Sequence, residues 1–223
     1  MPLYEKYVPT TEFKSYQDFC DGFTINVPEN FNYAYDVVDD LAAREPDRLA
    51  LLWISNAGEE RRLSFGELKQ KSDKAANFFK RQGIEKGDKV MLVLKRHYQF
   101  WYTILALHKL GAVAVPATNL LTTKDYVYRC NAASVKMIVV TSDGDVTANV
   151  DAALKDAPTL QLRAVTGGKQ CEGWLDYDAQ IESESAVFER PVGKAATNNG
   201  DMMLLYFTSG TTGYPKMVWH DFT

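Results

Sequence analysis

A chain of 223 residues with 46% apolar side chains is long enough to bury a substantial core. Its 25 Lys and Arg against 29 Asp and Glu leave a net charge of 25 − 29 = −4, which argues against the basic face that nucleic acid requires. The most basic stretch, Lys86 to Arg96, is interrupted by Asp88 and the apolar Val90–Leu94, so we read it as a solvated rim around a buried strand.

The first thirty residues carry the breakers Pro9, Gly22 and Pro28 and read as irregular. The spacing of Val37, Val38, Leu41 and Ala42 predicts a helix over Tyr33–Arg44, stopped by Pro46. Leu49–Ser55 reads as a strand and Asn56-Ala57-Gly58-Glu59 as a turn, with Arg61–Leu63 as the hairpin partner. Ser64 and Glu67 then make a capping box, flanked by Leu63 and Leu68 as a hydrophobic staple. The helix they start runs to about Gln82, where Gly83 can close it in the left-handed conformation.

Strands and helices alternate from there. Asp88–Leu94 is an apolar strand, Tyr98–Leu110 a helix ended by Gly111, and Ala112–Val115 a strand stopped by Pro116. Thr122 and Asp125 start a further helix to about Ala132, followed by the strand Lys136–Thr141, the helix Val146–Asp156 and the strand Leu160–Val165. Trp174–Ile181 reads as a short helix, Pro191–Gly200 as a polar loop, and Met202–Phe207 as a fully buried strand. Apolar strands alternating with helices predict an α/β fold with a largely parallel sheet.

Thr208-Ser209-Gly210-Thr211-Thr212-Gly213-Tyr214-Pro215-Lys216 follows that last strand. Four aliphatic hydroxyls, two glycines and one lysine fall within nine positions. The glycines let backbone amides turn toward an anion, the hydroxyls donate, and Lys216 adds a compact positive charge. A surface turn of small polar residues is the plain alternative, and the apolar strand before the loop and the Pro-Lys after it argue against that. The Walker loop is excluded by spacing: it needs four residues between its glycines and Ser or Thr after the lysine, whereas Gly210 and Gly213 enclose two residues and Met217 follows Lys216.

Tyr206 to Lys216, YFTSGTTGYPK, resembles the phosphate-loop signature of the AMP-forming acyl-adenylate superfamily (acyl-CoA synthetases, peptide-synthetase adenylation domains, firefly luciferase) at every position. Leu63–Leu68 and Leu110–Pro116 resemble two upstream family segments, and Phe31–Asp39 with Tyr214–His220 look most like the medium-chain acyl-CoA synthetases. The resemblance implies that residues 31–223 form the first part of an AMP-binding (adenylation) domain. It implies an ATP-dependent acyl-CoA ligase acting on a medium-chain fatty or aromatic acid, with ATP, Mg2+ and coenzyme A taking part. It assigns Thr208, Ser209, Gly210, Thr211, Thr212, Gly213 and Lys216 to the ATP phosphates. The adenine, acyl and coenzyme A pockets, the magnesium-holding acid and the catalytic lysine of a mobile carboxy-terminal domain are expected beyond Thr223. The chain therefore reads as a truncated, inactive amino-terminal piece. The alternatives are an adenylating enzyme that hands the acyl group to a carrier protein, and a non-catalytic nucleotide-binding module.

Other residues invite less. His97, His108 and His220 have no acid or cysteine at ligand spacing in sequence. Tyr98, Phe100, Trp101 and Tyr102 read as helix core packing, Asp39-Asp40 and Glu59-Glu60 as solvated charges, and Gly167-Gly168 as a turn. Cys20, Cys130 and Cys171 are too dispersed for a disulfide framework or a Cys-rich zinc site. With no apolar core near the start and no run of about eighteen apolar residues, the expectation is a cytoplasmic protein without a membrane span.

Overall fold

The computed structural model describes residues 3–168, 171–209 and 213–223. The first thirty residues, expected to be irregular, contain the helix α1 (Tyr16–Gly22), whose first turn is capped by the Ser15 hydroxyl accepting from the Asp18 amide. Ala34–Asp39 winds as a π-helix that runs into α2 (Asp40–Arg44). The predicted hairpin forms as β1 (Leu49–Ile54) against β2 (Glu60–Ser64).

The capping box forms as predicted. Ser64 Oγ accepts from the Glu67 amide at 3.2 Å and Glu67 Oε2 accepts from the Ser64 amide at 2.8 Å, starting α3 (Phe65–Arg81). Beyond it run β3 (Lys89–Val93), α4 (Gln99–Leu110), β4 (Val113–Pro116), α5 (Thr123–Ala133), β5 (Val135–Thr141), α6 (Val146–Ala153) and β6 (Leu162–Thr166). Gly111 ends α4 at φ 77°, a left-handed cap. At the start of α5, Asp125 accepts from both the amide and the hydroxyl of Thr122 (2.9 and 2.7 Å), and these bonds hold its carboxyl below the usual range. The segment read as one helix at Trp174–Ile181 divides into the short strand β7 (Leu175–Asp176) and α7 (Tyr177–Glu182), with Asp176 capping α7 through the Ala179 amide. β8 (Leu204–Thr208) and β9 (Lys216–His220) close the chain.

Among the described residues the main sheet has seven strands in the order β7-β6-β5-β3-β4-β8-β9. Every pairing is parallel except β8 with β9. From β3 the chain goes through α4 to β4 on one side, then crosses through α5 to β5 on the other. Right-handed crossovers in opposite directions put α4 and α5 on opposite faces. Side chains alternate accordingly. Val90, Leu92, Ala114, Met137 and Val139 pack under α3, α4 and α7, while Met91, Val93, Val115, Ile138 and Val140 pack with Tyr126, Cys130 and Val150 of α5 and α6. Both faces are covered, so the central strands need uninterrupted apolar runs.

Two sequence expectations change in this frame. β8 is not fully buried: Leu205 is inside, but Tyr206 and Thr208 are exposed, because the strand meets β4 at one register pair and lies next to the edge strand β9. Trp101 is half exposed, at 50%, since it points off the outer face of α4, while Tyr102 of the same run is buried.

Asp39 is also not a solvated charge. Together with Asp73 of α3 it accepts from Lys109 Nζ, at 2.8 and 2.6 Å, and the lysine side chain is 0% exposed. Burial pushes the Asp39 carboxyl up, against the pull of the Lys109 ammonium. Lys109 also lies over the ring of Tyr35, whose Oη donates to the Lys109 carbonyl, and Arg190 stacks on the same ring. This charged cluster joins the segment before α2 to α3 and α4.

Candidate functional site

The loop with the phosphate-binding pattern joins β8 to β9. Thr208 ends β8, Lys216 begins β9, and the two are direct cross-strand partners. Partners of that kind send their side chains to the same face of a sheet, so the hydroxyl and the ammonium leave the mouth of the loop together. Both are exposed, and Thr208 Oγ1 lies 3.5 Å from the Lys216 carbonyl oxygen. Ser209 follows Thr208, also exposed, and Gly213 stands at φ 142°, a conformation that L side chains rarely adopt. Gly210, Thr211 and Thr212 lie outside the described residues. The structure thus places Thr208, Ser209, Gly213 and Lys216 at the two roots of one loop, at the carboxyl end of a strand in a mostly parallel sheet. That is where open α/β sheets take their ligands.

A second feature lies at the carboxyl ends of β3 and β5. A small cleft there is lined by Trp53, Lys95, Arg96, His97 and Asp143 and includes none of the loop residues. His97 was expected to lack an acidic partner. Its Nε2 is 2.8 Å from Thr141 Oγ1 and 3.5 Å from Asp143, which also accepts from Lys95 Nζ at 3.1 Å. The bond from Lys95, with His97 close by, holds the Asp143 carboxyl below the usual range. The signal that could have found this set is topological: both segments follow adjacent parallel strands.

His108 differs from His97. It is buried, neither ring nitrogen has a partner, burial pushes its pKa down to about 4, and its ring packs edge-on against Phe222. His220 ends β9 with its ring edge-on against Tyr206.

Residues 38–222 match the family model described as AMP-binding enzyme. The chain belongs to that family. The acyl-coenzyme A synthetase ACSM5, mitochondrial, of Rattus norvegicus is 40% identical over 200 residues, covering 87% of this chain and 34% of the relative. The acyl-coenzyme A synthetase ACSM3, mitochondrial, of Mus musculus is 33% identical over 226 residues, covering 98% of this chain and 38% of the relative. This member of the AMP-binding family therefore spans about a third of the length of the curated relatives it matches. Its fold is also that of solved ligases. The crystal structure of the anthranilate CoA ligase AuaEII in complex with anthranoyl-AMP superposes with a TM-score of 0.74 at 23% identity, covering 88% of this chain and 36% of that one. The acyl-CoA synthetase of Brucella canis superposes with a TM-score of 0.74 at 24% identity, over 88% of this chain and 34% of that one. The parallel α/β architecture expected from the sequence is thereby the family's own.

Proposed function

We propose that this chain provides the triphosphate grip of an ATP-dependent, AMP-forming acyl-CoA ligase. In the first half-reaction a carboxylate oxygen attacks the α-phosphorus of ATP, the bond to the β-phosphate oxygen breaks, and pyrophosphate leaves an acyl-adenylate behind. In the second, the thiol of coenzyme A attacks the acyl carbon, loses its proton, and displaces AMP. Negative charge builds on the departing pyrophosphate in the first step. A fixed ammonium with hydroxyl donors beside it stabilises such charge without reorganising. Lys216 supplies the ammonium, and Thr208, Ser209, Thr211 and Thr212 the hydroxyls, while Gly210 and Gly213 allow close approach of the backbone.

The observation that carries this reading is the pairing of Thr208 with Lys216 across the mouth of the loop, in a chain whose relatives are named acyl-coenzyme A synthetases. A medium-chain fatty or aromatic acid is the proposed substrate, on the likeness of the segments Phe31–Asp39 and Tyr214–His220. Magnesium, which the family implies, finds no group of three His, Cys, Asp or Glu ligands among the described residues, and no step is assigned to it. No helix among the described residues is long and apolar enough to cross a membrane. The compartment we propose is the cytoplasm.

Carboxylate-dependent ATP–pyrophosphate exchange by the full-length enzyme that carries this segment tests the proposal, with octanoate and benzoate as the acids. Lys216→Ala should slow exchange on the order of 10²-fold, the scale for removing one preorganised charge-stabilising donor. Exchange at the unaltered rate removes Lys216 from the chemistry. Consumption of coenzyme A, beyond trapping of the adenylate by hydroxylamine, separates a CoA ligase from an enzyme that loads a carrier protein.

A further inference from the structure

We infer that Tyr128 of α5 is a positioning residue for the phosphate loop, acting through Tyr214 and Pro215 to set where Lys216 emerges. This inference rests on the phosphate-loop reading above. Tyr128 touches both limbs of the loop. On the entering limb its ring meets Phe207 edge-on, with centroids 6.1 Å apart. On the leaving limb it stacks on Tyr214, with centroids 4.5 Å apart and planes 21° apart. Its Oη donates to the Pro215 carbonyl oxygen at 2.8 Å. Arg129, the next residue of the helix, lies over the other aromatic contact, the Phe207 ring, at 5.1 Å.

Pro215 is the residue immediately before Lys216. A hydrogen bond to its carbonyl restrains the peptide that carries the Lys216 amide, and so the direction in which the lysine side chain starts. Tyr214 is 75% exposed despite the stack. An exposed aromatic contributes little to a core, so its alignment on Tyr128 speaks for placing the loop rather than stabilising the domain. Aromatic pairs have a preferred geometry, and a single ring bridging both limbs sets the width of the loop mouth. α5 is itself anchored by the Thr122–Asp125 cap and by Tyr126 and Cys130 in the core, so the clamp has a rigid base.

Titration of inorganic pyrophosphate into the chain is the test, read by calorimetry, with thermal unfolding midpoints alongside. Tyr128→Ala and Tyr214→Ala should each weaken pyrophosphate about tenfold, and Tyr128→Phe, which keeps the stack and loses the hydrogen bond, about threefold. Tyr214→Ala should leave the unfolding midpoint in place, which guards against a variant that merely fails to fold. If Tyr128 acts through Lys216, adding Tyr128→Ala to Lys216→Ala should cost little beyond Lys216→Ala alone. Wild-type affinity in both Tyr214→Ala and Tyr128→Phe, or full additivity of the Tyr128 and Lys216 losses, overturns the inference while leaving the phosphate loop intact. Failure of the unaltered chain to take pyrophosphate sinks the phosphate-loop reading itself, and the positioning role with it.

Discussion

The centre of the sheet and its β8–β9 edge are built from similar apolar sequence and end in different environments. β5, β3 and β4 run between α3, α4 and α7 on one face and α5 and α6 on the other, and their side chains are almost entirely enclosed. β8 and β9 are equally apolar at Leu204–Phe207 and Met217–Trp219, yet Tyr206, Met217, Val218 and Trp219 are exposed. Burial therefore follows from what covers a strand, not from its composition. The edge is also where the polar loop opens, so the residues proposed to hold the phosphates occupy the less enclosed part of the molecule.

The largest effect that would sharpen this contrast is expected beneath the centre. Lys109→Ala removes the buried ammonium that Asp39 and Asp73 share, leaving Lys69 on Asp73 alone at 2.5 Å, and should cost about 3–5 kcal/mol, whereas Lys109→Met should be tolerated far better if Asp39 and Asp73 are neutralised with it as Asn. Urea unfolding of the three forms checks this, and a mild Lys109→Ala would show the cluster to be wet.

Next comes His108, at the seam where α4 meets Phe222. Its folded pKa of about 4 lies below its ordinary value near 6.5, so the folded state binds fewer protons than the unfolded one. The stabilisation is complete above about pH 6.5 and is lost as pH falls toward about 4, a loss of about 3 kcal/mol at most. Stability measured across that window should slope less in His108→Leu, and an identical slope would put a different group in charge.

The smallest effect is the most direct comparison. The same deletion, Val→Ala, should cost about 2 kcal/mol at Val139 in β5, which is 0% exposed, and under about 0.5 kcal/mol at Val218 in β9, which is 41% exposed. Equal costs at the two sites would dissolve the distinction between centre and edge.

Much of the fold was legible because its signals are local. Ser64 and Glu67 are three residues apart and cap one helix, Gly111 closes another, and Asn56–Glu59 turns a hairpin whatever surrounds it. The hydroxyl-rich loop was legible for the same reason, as a compact string with its own chemistry. What escaped the sequence depends on distant partners. Asp39 reads as solvated until Lys109, 70 positions away, is placed against it. His97 seems to lack an acid until β3 and β5 lie side by side. Tyr128 has no mark at all until the loop folds back onto α5, 87 positions downstream at Pro215.

By itself the sequence determined the order of helices and strands, the parallel character of the sheet and the polar, glycine-bearing loop after β8, because hydrophobic period, caps and turn residues act over a few positions. The tertiary structure alone decided the strand order, the exposure of Tyr206 and Trp101, the burial of Lys109, and the clamp of Tyr128 on both limbs of the loop. Those depend on which surfaces meet, and such contacts are settled by the packing of the whole chain rather than by any short stretch of it.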